Sequence, residues 1–237
     1  MKFKLRKDLS ITKFGITFFR IEYLIDIELN EIKKGDLGGY LEKESCLSQY
    51  GNAQVSGDAL VYGNARVSGN AQVSGNAQVS GNAQVSGNAL VSGNTRVSGN
   101  TLVSGNAQVY GDALVYGNAL VYGNALVSGN ARVSGNAQVE KYGQCVSINN
   151  MKHPITITPN FITIGCKVWH TLEEFNSTYE KIGRDNNYLE SEIKTIHAVV
   201  NAIHSNMSPI KNVVKITHDG NEFVIDLDKA IELGIVK

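Results

Sequence analysis

The sequence predicts a mainly β protein built around a parallel β-helix, and three observations support this fold class. Fifteen consecutive hexapeptides of the form Gly-Asn-Ala-x-Val-Ser, or close variants of it, fill residues 51–140 without an insertion. Within each hexapeptide, the Ala and Val positions are two residues apart and therefore project from the same side of a short strand. Each glycine is followed by Asn or Asp, residues that tolerate a sharp backbone bend. A period of six residues is too short for a domain, so each hexapeptide must form one side of a stacked coil.

Residues 1–50 are predicted to form a small β cap on the N-terminal end of the solenoid. Apolar side chains recur from Phe3 to Ile27 on both sides of Lys13-Phe14-Gly15, a pattern that predicts a hairpin. Residues 34–40 contain three glycines, and we expect a tight irregular turn there. A cap is required because an uncovered end coil exposes an unpaired strand edge.

Residues 51–143 are predicted to form about five triangular coils, because three hexapeptide sides close one turn of the chain. Ala and Val should line the interior. The residue between them and the residue after Val should face outward. A single coil buries too little apolar surface to offset the entropy lost on ordering its backbone. Stability must therefore come from hydrogen bonds and core contacts between coils.

Residues 144–237 depart from the hexapeptide pattern and are predicted to form an α+β unit. Strand-like runs occur at 144–148 and 154–166. The segment Thr171–Glu174 has a capping-box pattern that opens a helix ending near position 182. Apolar residues at helical spacing predict a second helix over 188–205.

The last part of the chain is predicted to contain a hairpin and one more short helix. Strands are expected at Val213–Thr217 and Glu222–Ile225, joined by a turn at His218–Asn221. Asp226 is expected to cap a final helix that ends at Gly234.

The repeat resembles that of the hexapeptide-repeat left-handed β-helix superfamily, whose enzymes are mostly trimeric acyl- and nucleotidyltransferases. The expectation of a left-handed coil follows from this resemblance alone. Two motifs before the repeats, Gly35–Tyr40 and Leu47-Ser48-Gln49, resemble phage and prophage hexapeptide-repeat proteins of unknown function. The segment from Ile164 to Phe175 resembles the C-terminal unit of the same proteins. The resemblance implies a phage lineage but no activity.

The composition argues against several classes of function. Lys and Arg number 22 and are matched by 22 Asp and Glu, so no net charge attracts nucleic acid or an anionic membrane. The chain shows no signal peptide and no transmembrane-length apolar run, which predicts a cytoplasmic protein, in the host cytosol if it is phage-encoded. Cys46, Cys145 and Cys166 are odd in number and widely spaced, so we expect reduced thiols.

Enzymatic activity is not favoured by the sequence. A hexapeptide-repeat acyltransferase generally needs a His general base on a coil, whereas residues 51–140 contain no His, no Cys and no inserted loop. The best catalytic candidates are Cys166 and His170, which would form a thiolate–imidazole pair, although a buried strand Cys and a His preceding a helix explain the same residues. Cys145, Cys166 and His170 could also supply three zinc ligands, but the cysteines do not have the spacing of a zinc finger. No cofactor and no metal are predicted.

The outward positions near the C-terminal end of the repeats suggest a contact surface. Three tyrosines and three leucines fall within about one coil's length and form a predicted apolar belt. These residues are Tyr110, Leu114, Tyr116, Leu120, Tyr122 and Leu126. The belt would pack against the protein's own C-terminal unit, against a second copy of the chain, or against another protein.

The function predicted from these patterns is that of a non-enzymatic, phage-type scaffold or protein-binding platform. An alternative is a phage-encoded inhibitor that binds a host factor through the C-terminal unit or the belt. A hexapeptide-type transferase is the third candidate. The expected partners are a second copy of the chain or a host or phage protein, with no nucleic acid and no membrane.

Overall fold

The computed structural model describes residues 1–135, 137–141, 144–148 and 152–207, together with the backbone of two strands farther on. The helix predicted after Asp226 lies outside the described residues. None of the described helices is long and apolar enough to cross a membrane.

The N-terminal hairpin is confirmed. Strand β1 (Phe3–Lys13) pairs antiparallel with β2 (Ile16–Tyr23). Phe14 and Gly15 form the connecting turn with φ values of 56° and 74°. Two positive φ angles in a two-residue loop suit the twist of a hairpin. Short 3₁₀ helices follow at Glu28–Asn30 and Glu44–Cys46.

The glycine-rich segment contains the predicted turn only at Lys34–Gly35, where Gly35 has a φ of 96°, and most of the rest of the segment is a strand. Strand β3 (Leu37–Leu41) pairs with β2 on one side and with the first coil on the other. A Cβ atom on Gly38 would lie 2.5 Å from both the Ile21 Cγ1 atom and the Val55 carbonyl oxygen. Glycine is needed here because β3 is inserted tightly between the hairpin and the solenoid.

The solenoid is a three-sided stack of parallel two-residue strands, which confirms the predicted fold class. In chain order, β4 to β18 are Gln54–Val55, Leu60–Val61, Arg66–Val67, Gln72–Val73, Gln78–Val79, Gln84–Val85, Leu90–Val91, Arg96–Val97, Leu102–Val103, Gln108–Val109, Leu114–Val115, Leu120–Val121, Leu126–Val127, Arg132–Val133 and Gln138–Val139. Every third strand lies in the same sheet. We name the three sheets wall one (from β4), wall two (from β5) and wall three (from β6).

The parallel ladder begins before the first hexapeptide. Leu41 in β3 pairs with Val61, and Leu47 forms an isolated bridge to Val67. Both leucines are buried in the solenoid core. The solenoid therefore has about six turns, where the repeats alone predicted five.

The interior is lined as predicted. The Val side chains of the fifteen strands are fully buried, as are the residues two positions before them. They form one continuous apolar cluster from Phe3 to Phe161. Two of the Ala positions hold Thr95 and Thr101, which are 0% and 1% exposed.

The corners are built from glycine and asparagine. The solenoid glycines have φ values between 61° and 79°, in the left-handed region. A Cβ atom on Gly93 would also lie 2.7 Å from the Gly111 carbonyl oxygen of the next coil. Asparagine side chains stack along the corners, as where Asn52 Nδ2 donates to Asn70 Oδ1 at 3.0 Å. These ladders satisfy polar groups while the coils pack in close contact.

The C-terminal unit contains an antiparallel sheet and two helices. The sheet comprises β19 (Val146–Ile148), β20 (Ile155–Thr158), β21 (Phe161–Ile164) and β22 (Lys167–Trp169). The predicted run at 154–166 is therefore two strands joined by a turn.

Two helices follow the sheet, close to where the sequence placed them. Helix α1 spans Leu172–Asp185, and helix α2 spans Glu190–Ser205. Thr171 is the N-cap of α1, and its hydroxyl accepts the Glu174 N–H at 3.0 Å. Helix α1 extends three residues beyond the predicted end near position 182.

The predicted hairpin near the end of the chain is present in the backbone. Strand β23 (Val213–His218) pairs antiparallel with β24 (Asn221–Asp226).

Candidate functional site

The N-terminal end of the solenoid is closed by side chains on the wall that lacks a preceding strand. Lys2 Nζ donates to the Ala53 carbonyl oxygen at 2.7 Å, and Asn30 Nδ2 donates to the Asn52 carbonyl oxygen at 3.0 Å. The Tyr23 hydroxyl lies 3.0 Å from the Val55 carbonyl oxygen. Because these first-coil acceptors are satisfied, this part of the end does not offer an open strand edge.

The C-terminal end is closed in an equivalent way by the β20–β21 hairpin. The Arg132 N–H donates to Thr156 Oγ1 at 3.0 Å, and the Gln138 N–H donates to Asn160 Oδ1 at 3.2 Å. Phe161 is 1% exposed and belongs to the solenoid core. With both ends covered, the accessible surfaces to consider are the outer walls and the junction with the C-terminal unit.

The predicted belt surrounds the solenoid instead of forming one patch. Its three tyrosines follow strands of three different walls, because consecutive hexapeptides occupy consecutive sides. Tyr110 and Tyr116 are 39% and 40% exposed, but Tyr122 and Leu120 are buried at 2% and 4%. Tyr122 and Leu120 are therefore not available to a partner in this structure.

The accessible part of the belt lies on two adjacent walls. Tyr110 and Leu126 belong to wall one, and Leu114 and Tyr116 belong to wall two. The two leucines are partly buried. We call these four residues the exposed belt.

The structure does not bring Cys166 and His170 together as a catalytic pair. Cys166 lies in the turn before β22, whereas His170 follows the last residue of β22. The His170 ring packs 6.4 Å from the Phe161 ring, and its N–H donates to Glu174 Oε2 at 2.8 Å. The strand between the two residues places them at opposite ends of an extended segment.

A different histidine, His153, which the sequence did not single out, lies beside Gly165, the residue before Cys166. A Cβ atom on the adjacent Gly165 would lie 3.3 Å from His153 Cβ.

Cys145 packs against the solenoid core, and burial raises its pKa to about 12. Cys166 is exposed, so Cys145, Cys166 and His170 do not converge on a zinc site. Among the described residues, no group of three metal-ligating side chains is found.

A cleft of about 320 Å³ lies where the last coil meets the C-terminal unit. It is bounded by the β21–β22 turn, the C-terminal half of α1 and the segment before β20. The lining is mostly apolar or aromatic, and its charged members are Arg132 and Lys167. Arg132 Nη1 donates to the Gly165 carbonyl oxygen at 3.4 Å, which holds the guanidinium at the cleft wall.

An aromatic cluster supports the cleft. The Trp169 ring lies edge-on to Tyr179 at 6.0 Å between ring centroids. Trp169 Nε1 donates to Thr178 Oγ1 at 2.9 Å. On the other side, Lys152 Nζ lies 5.0 Å from the centroid of the Tyr188 ring. Packing on both sides holds these rings in fixed orientations.

Two phenol hydroxyls of this lining are buried without a hydrogen-bond partner among the described residues. They belong to Tyr179 and Tyr188. Burial is the main cause that raises the pKa of both phenols, which keeps them protonated as donors. Sequence reasoning missed Tyr179 because it lies four residues after Phe175 on α1 and reads as an ordinary core position.

The architecture and the closed ends define a repeat β-solenoid protein. Seven segments of the chain, some of them overlapping, match the family model of the YdcK Beta solenoid repeat: residues 53–69, 61–75, 83–99, 107–123, 113–129, 119–135 and 125–141. The matches support a repeat β-solenoid fold and are confined to the solenoid. No curated protein matches the chain.

Proposed function

We propose that the protein is a non-enzymatic scaffold that binds a partner protein through the exposed belt. The observation that carries this proposal is the exposure of Tyr110 and Tyr116, at 39% and 40%, on walls that otherwise carry mostly Ser and Gln. Half-exposed tyrosines beside leucines are typical of contact surfaces, because the ring contributes apolar area and the hydroxyl remains hydrogen-bonded.

The rigidity of the solenoid supports a binding role. Each coil is joined to the next by backbone hydrogen bonds near 2.9 Å, as from the Gln108 N–H to the Ala125 carbonyl oxygen. The asparagine ladders add side-chain bonds between the same coils. A surface held in one conformation loses little entropy on binding, so modest contacts suffice for affinity.

The expected lineage and location belong to the same proposal. The Gly35–Tyr40 and Leu47-Ser48-Gln49 motifs resemble those of phage hexapeptide-repeat proteins. In this structure both motifs serve the fold: β3 joins the ladder, and Gln49 Oε1 accepts the Lys2 N–H at 2.8 Å. We propose a phage-type protein that acts in the cytosol of the host cell and binds a phage protein, a host protein or a second copy of itself.

An inhibitor that engages a host factor through residues 144–237 is the alternative form of this proposal. The cleft at the junction favours it, since the cleft is lined largely by the C-terminal unit and carries polar groups. A hexapeptide-type transferase is less favoured, because residues 51–140 contain no His or Cys to serve as a base or nucleophile.

The two tyrosines of the exposed belt can be replaced by the residue most common at their position in the repeats. Ten of the fifteen hexapeptides carry Ser where Tyr110 and Tyr116 stand. The double variant Tyr110→Ser, Tyr116→Ser therefore restores the common repeat. A matched control is Ser80→Ala, which alters the same position of wall two as Tyr116 but lies two coils away from it.

The experiment compares partner capture from host lysate by the wild type, the belt variant and the control. We expect a specific protein to be retained by the wild type and the control and lost with the belt variant. Light scattering on the same samples detects self-association. A partner retained equally by the belt variant, but lost on deletion of residues 144–237, would support the inhibitor form instead. Retention of nothing, with a monomer at high concentration, contradicts the binding role.

A further inference from the structure

Wall two contains the same hexapeptide twice. Gly-Asp-Ala-Leu-Val-Tyr occurs at residues 57–62 and 111–116 and includes β5 and β14, which are both strands of this wall. Two further strands, β8 and β11, lie between them, so the two hexapeptides are three coils apart. At roughly 4.8 Å per coil, this separation is about 14 Å. Wall two therefore presents the same Leu and Tyr at two points, which we call the first and second Leu-Tyr units.

The first Leu-Tyr unit is covered by the N-terminal hairpin of the same molecule. The Phe14 ring stacks on the Tyr62 ring at 6.5 Å between centroids, and the Phe18 ring meets Tyr62 edge-on at 5.4 Å. Leu60 is only 2% exposed. In the second unit, Tyr116 is 40% exposed and has no aromatic contact among the described residues. The same hexapeptide is thus covered near one end of wall two and open near the other.

The duplicated unit makes wall two complementary to itself. When two molecules meet through this wall in antiparallel orientation, a two-fold axis lies parallel to the strands and passes between β8 and β11. Each outward column of one molecule then faces the same column of the other. Leu60 faces Leu114 of the second molecule, and Tyr62 faces Tyr116 of the second molecule. Symmetry forms each of these contacts twice.

The residues between the two units fit the same register. Gln78 faces Arg96 of the second molecule, where the guanidinium can donate to the amide oxygen. The outward positions of wall two from Leu60 to Tyr116 hold no Asp or Glu. An axis centred on β11 would instead place Arg96 of one molecule against Arg96 of the other, and like charges in contact are destabilising. The charge pattern therefore favours the register that aligns the Leu-Tyr units.

The aspartates of the two hexapeptides lie at the rim of this surface. Asp58 and Asp112 stand at the corner between wall one and wall two. Asp112 Oδ1 accepts Asn94 Nδ2 at 2.9 Å, and Asp58 Oδ1 lies 4.0 Å from Arg20 Nη1. Water and salt screen exposed charges at a rim, so the aspartates do not prevent the contact.

We propose that the partner bound at the exposed belt is a second molecule of this protein, held in an antiparallel two-fold dimer through wall two. This inference rests on the proposed function, because Leu114 and Tyr116 are the wall-two members of the exposed belt. Phe14 is 66% exposed despite its contact with Tyr62, so it can also receive Tyr116 of the second molecule. Four two-residue strands form a smaller patch than the roughly 800 Å² per partner of a standard interface, so the dimer should be weak and dissociate on dilution.

The first test measures association of the full-length protein by sedimentation velocity over a range of concentrations. We expect the wild type to form a dimer at high micromolar concentration. Tyr116→Ser should weaken association about tenfold or more, because each dimer loses the aromatic contact twice. Tyr110→Ser is the matched control: it makes the same change on wall one and should associate like the wild type. Circular dichroism melts confirm that both variants are folded.

The second test checks the antiparallel register by adding charge. Gln78→Glu should tighten the dimer about threefold at low salt, because the new carboxylate faces Arg96 of the second molecule at two symmetric places. Gln84→Glu is the matched control, since Gln84 lies on wall three beside Arg66, as Gln78 lies beside Arg96 on wall two. This control should leave association unchanged.

Three results would overturn the dimer. They are equal association of Tyr116→Ser and Tyr110→Ser, weaker association of Gln78→Glu than of the wild type, and a wild type that stays monomeric at millimolar concentration. The capture experiment separates this failure from that of the proposed function. A monomeric wild type that retains another protein through the belt tyrosines overturns the dimer alone, whereas a monomer that retains nothing overturns both.

Discussion

Lys2 Nζ lies 2.7 Å from the Ala53 carbonyl oxygen, so a buried ammonium takes the place of a backbone N–H from a missing coil. The same nitrogen lies 3.4 Å from the Gly51 carbonyl oxygen. No carboxylate pairs with it among the described residues, and the Lys2 side chain is 1% exposed. Burial accordingly lowers the pKa of Lys2 from 10.5 to about 8.

This lowered pKa predicts that Lys2 makes the protein more stable as the pH rises from 8 to 10.5. In that interval the unfolded chain keeps the Lys2 proton and the folded chain releases it, so unfolding takes up protons. Below pH 8 both states are protonated, and the folded state carries the full cost of burying the charge. Relative to Lys2→Met, the wild type should gain up to about 3 kcal/mol in free energy of unfolding as the pH rises across this interval.

The comparison is made by urea unfolding at several pH values. Tyr23, whose pKa burial raises to about 12, opposes the effect because the unfolded chain ionises first, but it does so equally in both proteins. Parallel pH profiles for the two proteins would show that Lys2 keeps an ordinary pKa.

Replacement of Thr95 by Val should stabilise the solenoid. Thr95 occupies an inward Ala position at 0% exposure, and its hydroxyl is buried without a partner among the described residues. Val has nearly the same shape and removes the unsatisfied oxygen, so we expect a gain of about 1–3 kcal/mol. Thermal unfolding of Thr95→Val and of the outward control Ser98→Ala measures the difference. A lower melting temperature for Thr95→Val would mean that the hydroxyl has an acceptor.

The fold of the solenoid could be predicted from the sequence, whereas the contacts that cover its two ends could not. In the repeats, each Val meets another Val eighteen residues later, so the local pattern already contains the tertiary contact. The caps depend on residues far apart in sequence, such as Lys2 with Ala53, and no periodic signal links them. The three glycines at 35–39 predicted a turn, but two of them serve the close approach of β3 to Ile21 and Val55.

The candidate site was predicted less well for a related reason. The sequence identified Cys166 and His170 from residue type alone, and the intervening strand β22 separates them. The cleft depends on how Tyr179 and Tyr188 meet the last coil, which is a contact between elements that no spacing encodes. The repeat pattern was enough to predict that the belt residues face outward, but it could not predict that Tyr122 is buried.

Phe161 should be the most sensitive position at the C-terminal end. Its ring is 1% exposed within the solenoid core and covers the last coil. Phe161→Ala removes this packing, and we expect a loss of about 3–5 kcal/mol together with aggregation through the uncovered strand edges. Phe14→Ala is the control, because Phe14 is 66% exposed at the tip of the N-terminal hairpin. Equal losses of stability in the two variants would contradict the capping role of Phe161.

Removal of one complete coil should leave a folded protein. Deletion of residues 75–92 removes three hexapeptides, joins Ser74 to Gly93 and leaves the remaining hexapeptides in register. It also keeps the hydrogen bond from Gln72 Nε2 to Asn30 Oδ1 at 2.8 Å. Because solenoid stability is a sum over coils and their interfaces, the shortened protein should unfold cooperatively at a moderately lower temperature. The control deletion, residues 75–94, also removes a Gly-Asn corner, so wall one would have to continue into wall two without a bend. We expect the control to lose cooperative unfolding in circular dichroism melts. If both deletions melt alike, the corners do not define the coil.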